Sequence, residues 1–246
     1  MPTSPPIFQL RNLTKSWRAA DGEFRLHVPQ LDIPAGAQIA VLGQSGCGKS
    51  TLLDILAMTL EPSSSEQFRF QPEGAEPTDI CAAWNNRDMD RLAGLRGRHI
   101  GYVLQTGGLL PFISVRENIG LPRRLCKLPE DGTVEALAER LRISDQLDKL
   151  PAKLSVGQRQ RVAVARALSH EPSVVLADEP TASLDPHTAG EVMALFVELA
   201  AQRGITLLVA SHDWERVAKL GLKRLEHEQV EEGDVLYSRF YTGAGD

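Results

Sequence analysis

Cysteine is scarce in this chain of 246 residues: three in all, Cys47, Cys81 and Cys126. They stand far apart with no CxxC pair, which argues against both a zinc site and a disulfide framework. No uncharged run reaches the ~20 apolar residues that a membrane-spanning helix needs. The longest, residues 33–48 and 100–115, are broken by Gly, Pro and polar side chains. The opening MPTSPP lacks the charged and apolar regions of a signal peptide. Basic charge is also short: 27 Lys and Arg against 32 Asp and Glu give a net charge of −5. Counterion release from nucleic acid needs a basic face, and Arg91, Arg96, Arg98 and Arg123–Arg124 make only small local clusters. Internal repeats and coiled-coil heptads are lacking as well. These absences predict a cytoplasmic chain with no nucleic-acid partner and no direct membrane span, reaching a membrane only through another protein.

What is present is an ordinary globular composition, with 42% hydrophobic and 24% charged residues, at a length that fits one large α/β domain or a domain carrying an insertion. Three short apolar runs end in polar residues: 39–42 leads into Gly43, 174–177 into Asp178-Glu179, and 205–210 into Ser211-His212. Each reads as a buried parallel strand, and ligands of open α/β sheets sit beyond such strand ends. Helices are predicted after Lys49, Ser155 and Thr188. Residues 8–33 alternate around Ala20-Asp21-Gly22 as an antiparallel hairpin, and 61–80, rich in Pro, Ser and Glu, read as a loop-rich excursion. Residues 106–170 carry helical patterning, with Val134, Leu137 and Leu141 at three- and four-residue steps.

Two stretches carry phosphate-type chemistry. The first, Gly43-Gln-Ser-Gly-Cys-Gly-Lys49-Ser50, satisfies GxxxxGK[ST] between a strand and an apolar helix spanning 51–60, the context that marks a P-loop. Glycines let backbone N–H groups converge on phosphates, and the helix N-terminus adds positive potential. Lys49 would reach the β- and γ-phosphates and the Ser50 hydroxyl would coordinate Mg²⁺. Gly43, Gln44, Ser45, Gly46, Cys47, Gly48 and Thr51 complete the predicted cradle. An isolated Asp178-Glu179 pair would be a solvated strand end; after VVLA in a P-loop chain, Asp178 becomes a metal-side group and Glu179 a general base. The second stretch, Ser155-Val-Gly-Gln158, is by itself a capping box that fully explains helix initiation.

The order of all these elements changes that reading. Residues 154–168, LSVGQRQRVAVARAL, closely resemble the signature segment of ATP-binding-cassette (ABC) ATPases. Walker A (43–51), a glutamine loop at Gln105, the signature, Walker B (174–179), a Ser183-Leu-Asp185 D-loop and a switch His212 follow in the family's order across nearly the whole chain. The resemblance implies a P-loop NTPase (RecA-like) α/β core with an antiparallel β subdomain and an inserted helical subdomain. It divides the chain at 1–105 (antiparallel β and P-loop core), 106–170 (helical signature subdomain) and 171–246 (the rest of the core). It further implies that two copies pair head to tail, each ATP lying between one copy's P-loop and the other's Ser155, Val156, Gly157, Gln158 and Asp185. Gln105 would reach Mg²⁺, His212 would touch the γ-phosphate and orient Glu179 or water, and Trp17 would stack on adenine. Outside the resemblance, Gln105 could be a surface residue, His212 a strand-end histidine and Trp17 a core side chain. The third signature position, commonly glycine, is Val156, so its backbone must be non-glycine-like.

Three uses of such a cassette compete: the ATPase subunit of a transporter with its permease on a separate chain, a soluble ATPase of translation or DNA maintenance, and a regulatory module uncoupled from transport. The soluble translation types carry two cassettes per chain and the chromosome types insert long heptads, so transport is favoured. Leu109–Ile119, LLPFISVRENI, is similar to a stretch of the lipoprotein-release and macrolide-efflux subgroup, although 60–95 departs from that subgroup's tighter pattern. The apolar run 109–113 is either core or a docking surface for the permease.

Overall fold

The computed structural model describes residues 5–19, 22–232 and 235–242. In chain order the elements are β1 (Pro6–Ala19), β2 (Gly22–Pro34), β3 (Gln38–Leu42), α1 (Lys49–Leu56), β4 (Gln67–Phe70), β5 (Thr78–Asp79), α2 (Ile80–Asn85) and α3 (Met89–His99). Then come β6 (Ile100–Val103), α4 (Val115–Leu125), α5 (Thr133–Arg140), α6 (Val156–Leu168), β7 (Val174–Asp178) and α7 (Pro186–Gln202). Last are β8 (Thr206–Ser211), α8 (Trp214–Lys219), β9 (Lys223–Glu232) and β10 (Val235–Thr242). The backbone divides into two compact units, residues 1–94 with 210–246, and residues 95–209.

In the first unit the strands lie in the order β5-β4-β1-β2-β10-β9-β3. The predicted hairpin is β1 and β2, paired antiparallel with Leu10 opposite Leu31 and Trp17 opposite Phe24; its turn at Ala20-Asp21 lies outside the described residues. β2 runs parallel to β10, β10 antiparallel to β9, and β9 parallel to β3. The excursion predicted at 61–80 is corrected: β4 lies inside it and pairs with β1, Phe8 opposite Phe70. Three residues, Phe68-Arg69-Phe70, alternate in and out of the core, and both phenyl rings are fully buried beside Phe8 with centroids 6.3 and 4.8 Å away. Each such ring contributes about 2–3 kcal/mol on leaving water, which outweighs the polar flanks. The helix predicted over 51–60 is also corrected. It runs from Lys49 to Leu56, because Met58 turns to φ 58° and the amides of Thr59 and Leu60 both fold back on the Asp54 carbonyl.

In the second unit β6 and β7 are parallel, Ile100 opposite Val174 and Val103 opposite Ala177, and the strand order is β8-β7-β6. The predicted strands at 174–177 and 205–210 are thus β7 and β8. The helical patterning of 106–170 resolves into α4, α5 and α6. Ser114 starts α4 with a capping box closed by Glu117, and α6 buries Val162, Ala163, Val164, Ala165 and Leu168 completely. The helix predicted after Thr188 begins two residues sooner, at Pro186, whose fixed φ suits a first helical position.

Candidate functional site

The first cradle is the turn between β3 and α1. Ala40 and Val41 are fully buried, which fixes the strand end from which the turn departs. Gly48 adopts φ 92°, and a Cβ there would stand 3.2 Å from Leu26 Cδ1 and 3.3 Å from Phe24 Cζ, so conformation and space both require glycine. Lys49 opens α1, only 5% exposed, with Nζ donating to the Gly43 carbonyl at 2.8 Å and the Gln44 carbonyl at 2.9 Å. Gln44, Ser45, Gly46 and Ser50 are exposed, Thr51 is half-buried and Cys47 is buried. No side chain caps α1 and no acid sits in its first turn, leaving a helix start whose amides and dipole suit an anion.

Trp17 lies beside this turn. The residue is 37% exposed, which removes the core alternative. It leans on Phe24 at 5.8 Å between centroids, and Phe24 in turn abuts Gly48. Lys15 Nζ stands 5.7 Å from the Trp17 ring centre. Phe24 was missed from sequence; only the register of the β1–β2 hairpin places it between the indole and the glycine turn. His212, in the same unit, is exposed just beyond β8, where the Asp213 amide donates to Ser211 Oγ at 3.0 Å.

The second unit holds the remaining predicted residues. Asp178 closes β7, half-buried, and Glu179 follows at φ 43°. That left-handed conformation is unusual for a side-chain-bearing residue and turns the chain abruptly out of the strand. The Ala182 amide donates to the Glu179 carbonyl at 3.1 Å and Leu184 to Thr181 at 3.1 Å, shaping the turn that leads to Asp185. Asp185 caps α7, accepting from the His187 and Thr188 amides at 3.2 and 3.0 Å. Thr188, through its hydroxyl and then its amide, holds the Asp185 carboxyl below the usual carboxylate range.

The signature capping box is formed. Gln158 N donates to Ser155 Oγ at 3.2 Å, and Ser155 N donates to Gln158 Oε1 at 2.9 Å. Val156 is the first residue of α6, 44% exposed and with ordinary helical backbone, the non-glycine geometry its side chain requires. Gly157 is needed for close approach: a Cβ there would stand 3.0 Å from Thr188 Cγ2, so the signature turn and the start of α7 lie against one another. Gln105 is exposed in the turn after β6. The Gly107 and Gly108 carbonyls that follow it accept from Arg166 of α6 at 2.9 and 2.8 Å.

No group of three or more His, Cys, Asp or Glu side chains that could cage a metal occurs among the described residues. Mg²⁺ keeps waters and binds through one or two protein oxygens plus substrate phosphates, and Ser50, Gln105 and Asp178 carry hard oxygen donors of that kind.

The model of the family described as "ABC transporter" matches residues 26–182. Among curated proteins the chain is 40% identical over 220 residues to the macrolide export ATP-binding/permease protein MacB of Nitrosomonas europaea, covering 87% of this chain and 32% of that protein. It is 38% identical over 220 residues to the pyoverdine export ATP-binding/permease protein PvdT of Pseudomonas fluorescens, again covering 87% and 32%. The chain therefore spans about a third of the length of these relatives. Among solved structures it superposes on the dimeric, post-hydrolysis ATP-binding cassette MJ0796 bound to ADP and Pi, with a TM-score of 0.75, 29% identity and coverage of 89% and 93%. It also superposes on cbiO1 of Clostridium perfringens, part of the cbiONQ transporter complex, with a TM-score of 0.74, 31% identity and coverage of 97% and 88%. With the P-loop turn, the capped signature helix and the strand-end acids on one chain of this fold, the protein belongs to the ABC transporter family as an ATP-binding cassette, similar to those of the macrolide-export subgroup.

Proposed function

We propose that this chain binds and hydrolyses ATP between two head-to-tail copies and thereby drives a transmembrane permease. The observation that carries the reading is the pair of anion-directed helix starts: α1 behind Gly43–Lys49 is uncapped, and Ser155 at α6 accepts from Gln158 yet retains a hydroxyl proton to donate. Each sits in a different unit of the chain, and a second copy gives each nucleotide one of both kinds.

In this reading Lys49 exchanges its two loop carbonyls for the β- and γ-phosphates, and Trp17 stacks on the base. Ser155, Val156, Gly157, Gln158 and Asp185 close over the partner copy's nucleotide. Ser50, Gln105 and Asp178 would hold Mg²⁺, which neutralises phosphate charge when bound. Glu179 takes a proton from the attacking water, and His212 orients that water or the Glu179 carboxylate.

A membrane partner is supported by the segment after Gln105. Asn118, fully buried, donates to the Leu110, Ile113 and Ser114 carbonyls at 3.0–3.2 Å and accepts from the Leu110 amide at 2.8 Å. The loop so shaped leaves Phe112 74% exposed. No helix among the described residues is long and apolar enough to cross a membrane, so the permease is supplied by residues other than these, in our reading a separate chain. The cassette would then work on the cytoplasmic face of the membrane.

Glu179→Gln is the deciding variant. It should retain ATP and trap a dimer while turnover falls by a factor of 10²–10⁴ or more, roughly what removal of a general base costs. Hydrolysis at the wild-type rate would refute the assignment. In mixed dimers, Ser155→Arg on one copy should disable the site built on the other copy's Lys49; damage confined to its own P-loop would exclude the trans arrangement.

A further inference from the structure

We propose that His227 on β9 and Ser238 on β10 are positioning residues of the nucleotide site, holding the P-loop carbonyl of Cys47 through a two-step hydrogen-bond relay. The inference rests on the reading of residues 43–51 as a nucleotide cradle and adds to it two residues outside every motif of the chain.

The geometry is specific. Ser238 is fully buried in a strand flanked by β2 and β9, and its hydroxyl donates to the Cys47 carbonyl in a short bond. A carbonyl can only accept, so the Ser238 proton is committed to Cys47. The remaining contact of that hydroxyl, His227 Nε2 at 2.9 Å, must then be a donor. In the neutral imidazole this places the proton on Nε2 and leaves Nδ1 unprotonated. Nδ1 faces Gly43, at 3.4 Å from where a Cβ of that residue would lie. The ring is seated against Phe240, 4.8 Å between centroids. Burial first, and then the nearby Lys49 ammonium, hold the imidazole below its ordinary pKa, which keeps it in the neutral form the relay uses.

The consequence lies at the other end of the same peptide bond. No peptide of the described chain is cis, and in a planar trans peptide the C=O and N–H point in opposite directions. Drawing the Cys47 carbonyl toward β10 therefore aims the Gly48 amide the other way. Gly48 is the residue whose backbone, at φ 92°, delivers the chain into α1 and Lys49. The relay thus sets the direction of a cradle amide before any nucleotide arrives, and preorganised donors lose less freedom on binding.

Binding of ADP with Mg²⁺ by the full chain, followed by titration calorimetry, tests this, because ADP engages the cradle without turnover. Ser238→Ala and His227→Phe should each raise the ADP Kd about fivefold, the size expected for one hydrogen bond lost from a buried chain of them. His227→Gln, whose amide nitrogen can replace Nε2 as donor, should recover most of the affinity. Thermal unfolding of the nucleotide-free variants separates positioning from packing. If all three variants melt lower but keep the wild-type ADP Kd, the pair is merely structural and the proposal falls. It falls equally if Gln behaves like Phe, or if ¹⁵N NMR of His227 places the proton on Nδ1. A wild-type chain that fails to bind ADP would overturn the nucleotide reading itself, an outcome distinct from normal wild-type binding with unaffected variants.

Discussion

At the scale of single residues, His170 is an acid-sensitive point of the second unit. Its side chain is 2% exposed at the end of α6, and burial, with the charges of Arg98, His99 and Arg123 nearby, lowers its pKa from 6.5 to about 4. The unfolded chain protonates this imidazole below about 6.5 while the folded chain does not, so unfolding takes up a proton in that window. Stability present above pH 6.5 is lost as pH falls and levels out below about 4, a total of about 3 kcal/mol from this group, of which about 2 kcal/mol is gone by pH 5. Burial lowers His27, His99 and His227 in the same direction. Urea unfolding at pH 7 and pH 5 should show the loss, and His170→Leu should flatten it; an unchanged slope in that variant would assign the effect elsewhere.

Among the elements, the loop between β6 and α4 shows what the sequence disclosed and what it withheld. A compact apolar run at 109–113 was evident, but periodicity over five residues cannot separate core from surface. Asn118 decides the matter: its amide ties down Leu110, Ile113 and Ser114, leaves Leu109 and Leu110 half-buried, and turns Phe112 outward. Phe112→Asp should therefore leave the isolated cassette folded, with ADP binding and melting temperature near wild type, while abolishing co-purification with the proposed permease. A variant that unfolds the cassette would return the run to the core. Other elements were legible because local chemistry and tertiary demand agree in them. The P-loop, β7 and the Ser155 capping box are stretches in which a glycine pattern, an apolar run or a Ser-x-x-Gln spacing does locally what the fold requires. β4 was hidden because its four residues lie between Ser- and Pro-rich flanks and gain their order from β1. Phe24, His227 and Ser238 were hidden for a related reason, since their place beside the P-loop exists only in cross-strand register.

For the molecule as a whole, each of the two units carries one half of the proposed site, Lys49 in one and Ser155 and Glu179 in the other, and the proposed second copy completes each site. Whole-molecule stability carries a separate cost at one backbone angle. Glu179, at φ 43°, sits where a β-carbon is penalised by roughly 1–2 kcal/mol relative to glycine. A lineage selected only for endurance to heat would be expected to relieve that penalty, and Glu179→Gly does so directly. The variant should melt about 2–4 °C higher for each kcal/mol released in a chain of this size, and in the same step should lose ATP turnover. A melting temperature at or below wild type would mean that the Glu179 side chain stabilises the fold as much as its backbone strains it. In the expected outcome, a more heat-resistant form of this cassette is one that no longer works, so the carboxylate at this position serves hydrolysis at the expense of the fold.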